Sequence, residues 1–257
     1  MNREITPAQI EQYREEGYFV IPAAIEGDDL ALLRDECAHG IAEQNSELDR
    51  EGVDVSGIVH RGKRYFIRQP SLRRANLRSF FLGRQLAEIA RATVGGTAFA
   101  FYEQFVVKGA DKGMSFGWHQ DGGYIASFMH RPYVTCWCAL DDVSEENGTA
   151  YILPVSRAGS REIVKHVRQE GTNDMVGYFG TDPGIPVIGP AGTIAVFASY
   201  VFHRSGPNRT SGLRRAYVAQ YSPEVIMRTP GTPLHRSEPL LRDGAYVAQQ
   251  EVCAVNS

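Results

Sequence analysis

In the run Phe116-Gly-Trp-His-Gln-Asp-Gly-Gly123, His119 and Asp121 stand two residues apart. On an extended backbone alternate side chains share a side, so this imidazole and carboxylate could grip one ion together. An isolated His-x-Asp in a chain with seven histidines is more often a hydrogen-bonded pair than a metal site. A third ligand is offered much further along, in Phe202-His-Arg-Ser-Gly-Pro-Asn-Arg209, where His203 is trailed by Ser205, Arg209, Arg214 and Arg215. Two imidazoles and one carboxylate on one face of an octahedral metal leave three positions open, which suits Fe(II), a bidentate co-substrate and dioxygen. Zinc is the main competitor. The trailing arginines weigh against it: 2-oxoglutarate would chelate the metal through its 2-oxo acid and leave a second carboxylate needing a bidentate cation.

Those residues need a frame. Thr6-Pro7-Ala8-Gln9 supplies a capping hydroxyl, a first-turn proline and a glutamine three residues on, predicting a helix that Gly17 ends. Tyr18 to Ile21 reads as a strand. Asp28 to about Gln44 reads as a second helix with Leu30, Leu33, Cys37 and Ile41 on one face. From Asn45 to Arg64 the chain is polar and aperiodic, predicting a long loop and a lid over the site. A third helix fits Arg84 to Thr93. Strands are predicted at Ala98 to Lys108, Tyr133 to Leu140, Ala150 to Leu153, Arg161 to Val167, Ile185 to Ile188, Thr193 to Phe197 and Arg215 to Tyr221. Helices first and short strands afterwards predict an α+β, mainly β chain. Its core would be an antiparallel sandwich or jelly roll, with the N-terminal helices as buttresses.

A chain of 257 residues with 43% apolar and 22% charged content predicts one globular domain. Within it, residues 1–97 would be helical support and lid, 98–221 the core, and 222–257 a C-terminal lid and tail. A net charge of -3 supplies no basic field for nucleic acid. Ile185 to Phe202 carries no charge, but its prolines and glycines divide it into two strands, so no membrane span is expected. The charged N-terminus lacks a signal pattern, predicting a cytoplasmic protein. Cys37, Cys136, Cys138 and Cys253 are spaced too irregularly for a disulfide framework.

The stretches "GYFVI", "WHQD", "ALDDVSEENG" and "FHRSGPNRTSGLRRA" resemble the phytanoyl-CoA dioxygenase family of 2-oxoglutarate oxygenases, over nearly the whole chain. The resemblance implies a double-stranded β-helix of the cupin type, and Fe(II) held by His119, Asp121 and His203. It selects Ser205 and Arg214, two and eleven residues after the distal histidine, for 2-oxoglutarate. It also selects Trp137, sixteen residues after the aspartate. Gln104 is a weaker candidate for the same pocket, and Lys63, Arg64 and Arg68 compete for a further basic contact. The implied activity is hydroxylation or another oxidation of a small-molecule substrate using O2, by a monomer or homodimer. Where the family commonly has Pro-Gly-Ser-His, this chain has Pro154-Val-Ser-Arg157. The rival readings are a zinc or manganese hydrolase or isomerase on a cupin-like barrel, and a binding protein that has lost turnover.

Overall fold

The computed structural model describes residues 4–110, 114–170 and 174–247; Cys253 and the end of the expected tail lie outside them. The first helix, α1 (Pro7–Glu16), begins at Thr6 with both hydrogen bonds of a capping box and ends at Gly17 in the left-handed region. It feeds β1 (Tyr18–Ile21). The second helix, α2 (Gly27–Glu51), runs past Gln44, so the loop expected from Asn45 is a continuation of helix. Glu47, Leu48, Arg50 and Glu51 are good helix formers, Leu48 is buried within the stretch, and Gly52 ends it. A small hairpin, Val55–Ser56 with Val59–His60, then leads into β2 (Arg64–Arg68). The helices α3 (Ala75–Phe81) and α4 (Arg84–Thr93) follow.

The core strands are β3 (Ala98–Lys108), β4 (Phe116–His119), β5 (Val134–Ala139), β6 (Ala150–Leu153), β7 (Ile185–Pro186), β8 (Ile194–Ala198), β9 (Phe202–Ser205) and β10 (Arg214–Ser222), with β11 (Glu238–Arg242) added late. Two antiparallel sheets result. The large one runs β1-β8-β5-β10-β3-β2 and continues into the hairpin, and β11 pairs with the start of β3. The small one runs β7-β6-β9-β4. This is the jelly-roll frame expected, with one correction: β1, β2 and β11 lie outside residues 98–221 yet belong to the large sheet. The strand expected at Arg161 to Val167 is also absent. Only Val167–Arg168 pairs there, and the segment before it is irregular chain whose Glu162, Val164 and His166 bond to Gln120.

Alternation on β5 separates the two faces of the large sheet. Cys136 and Cys138 pack with α2 and α4 in the outer core, while Trp137 and Ala139 face the small sheet. Burying one apolar set on each face leaves no freedom of register, because a one-residue slip would exchange the faces. Gly192, at φ +83, makes the turn into β8 possible. A Cβ there would stand 1.9 Å from the Ile25 carbonyl oxygen, which accepts no such neighbour. Cys37, Cys136 and Cys138 are buried free thiols. No helix among the described residues is long and apolar enough to cross a membrane.

Candidate active site

The register of β9 on β4 places His203 directly opposite His119, and their ring centroids lie 4.1 Å apart. Asp121 begins a 3-10 turn, but Gln120 before it is extended (φ -113, ψ 134), so His119 and Asp121 still project to one side. One Asp121 oxygen, Oδ1, lies 3.5 Å from His203 Nε2 and 3.9 Å from His119 Nε2. The three side chains can each offer one atom within 4.8 Å of the others. His119 Nδ1 lies 2.9 Å from the Gly117 carbonyl oxygen and His203 Nδ1 3.1 Å from that of Val201. A carbonyl only accepts, so each Nδ1 carries the proton and each Nε2 presents its lone pair to the shared space. Burial, and then His203, push His119 well below its ordinary imidazole range, so it stays neutral, as a metal ligand must.

The other Asp121 oxygen is fully engaged. Thr135 Oγ1 donates to Oδ2 at 2.6 Å, Gln220 Nε2 donates to the same oxygen at 3.0 Å, and Gln220 Nε2 also reaches Thr135 Oγ1 at 3.1 Å. Oδ1 alone remains to face a metal. Beneath the triad, the Gln120 N–H donates to His166 Nε2 at 2.9 Å, and the Gln120 side chain binds backbone groups of Glu162, Val164 and Tyr200. Gly123 is required there, since a Cβ would lie 1.8 Å from the His166 ring.

A cavity of about 510 Å³ opens above the triad. Its sheet wall is laid out in rows by strand register. Arg64, Lys108 and Arg214 form the innermost row across β2, β3 and β10; Phe66, Val106 and Ala216 come next. Arg68, Gln104 and Val218 follow, with Trp137 beside Val218 on β5, and then Tyr102, Gln220 and Thr135. Arg64 is paired with Asp174 at 2.8 Å, both nearly inaccessible. Arg214 is 1% exposed and its Nε and Nη1 have no partner; its guanidinium carbon lies 5.5 Å from the Trp137 ring. Burial pulls Arg214 down to about 10, so it is charged at neutral pH. Burial, reinforced by Arg214 and Arg64, also lowers Lys108 well below the ordinary lysine range.

Of the residues singled out from sequence, His119, Asp121, His203, Ser205, Arg214, Trp137 and Gln104 all line this one cavity. Gln104, however, stands two rows from Arg214, beside Arg68, and accepts from Tyr102 Oη at 3.2 Å. Arg209 does not line the cavity, and of the three competing basic residues Arg64 and Arg68 do while Lys63 does not. His235 is part of the cavity wall, and His130 is not. Arg157, in place of the family's histidine, pairs with Asp182 away from the cavity. Lys108, Thr135, Gln220 and His166 were not singled out for the site. The first three are in phase with inward-facing strand positions, a signal that alternation carries; His166 has no local signal.

A jelly roll that converges two imidazoles and a carboxylate on one point fits the ligand set of a mononuclear non-haem metal enzyme. The donor set fits Fe(II), and the unpartnered guanidinium in the same cavity fits the free carboxylate of 2-oxoglutarate. Residues 13–216 match the phytanoyl-CoA dioxygenase family. The chain is 24% identical over 241 residues to an ectoine dioxygenase of Stutzerimonas stutzeri, covering 83% of this chain and 75% of that one. A methylphosphonate hydroxylase of Gimesia maris is 25% identical over 225 residues, 86% of this chain and 82% of its own. Among solved structures, EvdO2 of Micromonospora carbonacea var. aurantiaca complexed with 2-oxoglutarate superposes with a TM-score of 0.69 at 21% identity, over 91% of this chain and 96% of that one. The chain belongs to the phytanoyl-CoA dioxygenase family and is an Fe(II)- and 2-oxoglutarate-dependent dioxygenase acting on a small molecule.

Proposed function

We propose that His119, Asp121 and His203 hold the iron, and that Arg214 and Ser205 hold the far carboxylate of 2-oxoglutarate while a small-molecule substrate is hydroxylated in the outer part of the cavity. The observation that carries this is the Arg214 guanidinium, buried with Nε and Nη1 unpartnered in the cavity that the metal triad lines. Two such donors cost several kcal/mol, of order 1–3 each, unless an anion meets them. A hydrolase on the same triad has no use for that anion.

When bound, iron with 2-oxoglutarate and O2 supplies the oxidising power to remove hydrogen from a substrate carbon, with succinate and CO2 as co-products. The protein's own residues position and exclude. Thr135 and Gln220 fix the Asp121 carboxylate so that one oxygen faces the metal. Trp137 lies against Arg214 and keeps water from its free N–H groups. Phe66 and Val106 form an apolar row between the charged floor and the outer cavity, which strengthens each polar contact beneath it. Asp121, being a carboxylate and not a small residue, fills the position that a halide would need, so oxygen insertion or another oxidation is the outcome we assign.

We take residues 1–257 as a single domain, on the outer core that α2, α4 and the large sheet share. Three buried free thiols suit a reducing cytoplasm, and the -3 charge leaves nucleic acid without a docking field. A monomer or homodimer suffices, since every proposed ligand comes from one chain.

Anaerobic addition of Fe(II) and 2-oxoglutarate to the purified protein should give a weak visible charge-transfer band. Arg214→Ala should keep iron and raise the 2-oxoglutarate requirement by roughly ten- to a hundredfold, as expected for losing a charge-assisted contact. Unchanged 2-oxoglutarate dependence in that variant would sink the assignment.

A further inference from the structure

The outer end of the cavity carries features that neither the iron triad nor the 2-oxoglutarate site uses. Arg68 lines it from the end of β2, is exposed to solvent, and has no acidic partner among the described residues. Gln69 lines it too, with its Nε2 donor buried and unpartnered. Its backbone is left-handed at φ +48, although glutamine has a Cβ and the next residue is Pro70. A residue with a Cβ adopts this left-handed region only uncommonly. Strain of this kind persists where the surrounding structure enforces it, and it clusters at ligand sites. Here the Gln69 N–H donates to the Glu103 carbonyl at 2.9 Å, which holds the strained residue in place.

Charge around the cavity is one-sided. The only carboxylate on its wall among the described residues is Asp121, whose two oxygens are committed to the triad and to Thr135 and Gln220. Of the cavity's other arginines and lysines, Arg64 has Asp174, Lys108 donates to the Met114 carbonyl, Arg204 donates to the Pro183 carbonyl and lies over the Tyr151 ring, and Arg214 is assigned above to the far carboxylate of the co-substrate. Arg68 is left over. Four residues separate it from Arg64 along an extended strand, about 13 Å at ~3.3 Å per residue, so it stands apart from the cation row. Phe101, Tyr102, Ile125, Phe128 and Leu234 cluster together on the same cavity's wall and give it an aromatic and apolar stretch.

Resting on the oxygenase reading above, we infer that the substrate is a small oxyanion with an apolar body: Arg68 and Gln69 bind its carboxylate or phosphonate, and the aromatic wall receives its carbon skeleton. Two adjacent donors, one charged and one neutral, match two oxygens of one anionic group. The cavity volume of about 510 Å³ lies within the range of sites for small organic ligands. The anion thereby fixes one end of the substrate and determines which carbon lies over the iron.

The test uses the full chain, loaded anaerobically with Fe(II) and saturating 2-oxoglutarate. It is titrated calorimetrically with hexanoate, phenylacetate and hexylphosphonate, each against its neutral counterpart: hexanamide, phenylacetamide and hexanol. At least one anion is expected to bind roughly tenfold or more tightly than its counterpart, and Arg68→Gln removes that preference. Gln69→Ala reduces it about threefold or more by the loss of one neutral donor. The carboxylate and phosphonate arms tell which oxyanion the subsite takes. No preference in any pair, or a preference that survives Arg68→Gln, overturns the inference. The visible band of bound 2-oxoglutarate, recorded before any probe is added, separates the two failures. A missing band counts against the oxygenase reading, and a normal band without anion preference counts against this one.

Discussion

Replacing Thr135 by valine keeps the shape of the side chain and removes one hydrogen-bond donor, which makes it a sharp probe of how the metal site is held. Thr135 is 1% exposed, so no water replaces the lost hydroxyl without rearrangement. The Asp121 Oδ2 would lose its 2.6 Å bond and keep only the 3.0 Å bond from Gln220, whose amide would itself lose the 3.1 Å contact to Thr135. A hydrogen bond to a charged group is worth about 1.5–3 kcal/mol, and part of that is recovered through Gln220. Outer partners of metal ligands typically account for about 10–100-fold in affinity, equivalent to about 1.4–2.7 kcal/mol. We expect Thr135→Val to weaken Fe(II) binding by that factor, and Thr135→Ser to stay within roughly threefold because it keeps the donor. Anaerobic competition against a chromophoric chelator measures the affinity, and thermal unfolding of the metal-free proteins shows that both variants fold. Wild-type iron affinity in Thr135→Val would refute the reasoning, since Asp121 would then be oriented without this bond.

Gly123→Ala would drive its new Cβ into the His166 ring and away from its bond to the Gln120 N–H; we expect a loss of about 1–3 kcal/mol in urea unfolding, with iron affinity falling alongside. Lys108 gives a pH dependence. Its folded form sheds its proton below the ordinary lysine range, so between that point and the unfolded value of about 10.4 the unfolded chain binds more protons and stability rises with pH. Lys108→Met should therefore make the metal-free protein more stable at neutral pH, with the gain shrinking as pH approaches 10. A constant gain across that range in urea titrations would show that Lys108 is not the group responsible.

The metal triad was legible because its parts are either adjacent, as in His119 and Asp121, or carried in a recognisable run, as His203 is. Ser205 and Arg214 could be singled out only through the family's spacing, since Arg204, Arg209, Arg214 and Arg215 all follow His203 and alternation alone admits more than one. The cation row was not legible. Arg64, Lys108 and Arg214 belong to three strands whose mutual register is settled by distant pairing, and no local pattern announces it. His166 was missed for a related reason: it reaches Gln120 from a segment with no repeating structure, read from its apolar residues as a strand. The lid expected over Asn45 to Arg64 failed at its start, because polar residues on the solvent side of a long helix have the composition of a loop. Tertiary packing of Leu48 decided that stretch.

The rows of the sheet wall also impose a direction on traffic. Arg64, Lys108 and Arg214 are each no more than 2% exposed, whereas Arg68 is open to solvent, so the three-cation row lies at the buried end of the wall and Arg68 at the solvent-exposed end. If 2-oxoglutarate rests at Arg214 and the substrate near Arg68, as proposed, anything bound for Arg214 would travel past the substrate's place. A substrate that arrived first would act as a cork, and the succinate left behind would be shut in until the oxidised molecule departed. On that proposal, the strand register that gathers the buried cations would make the enzyme's visitors enter and leave in a fixed queue.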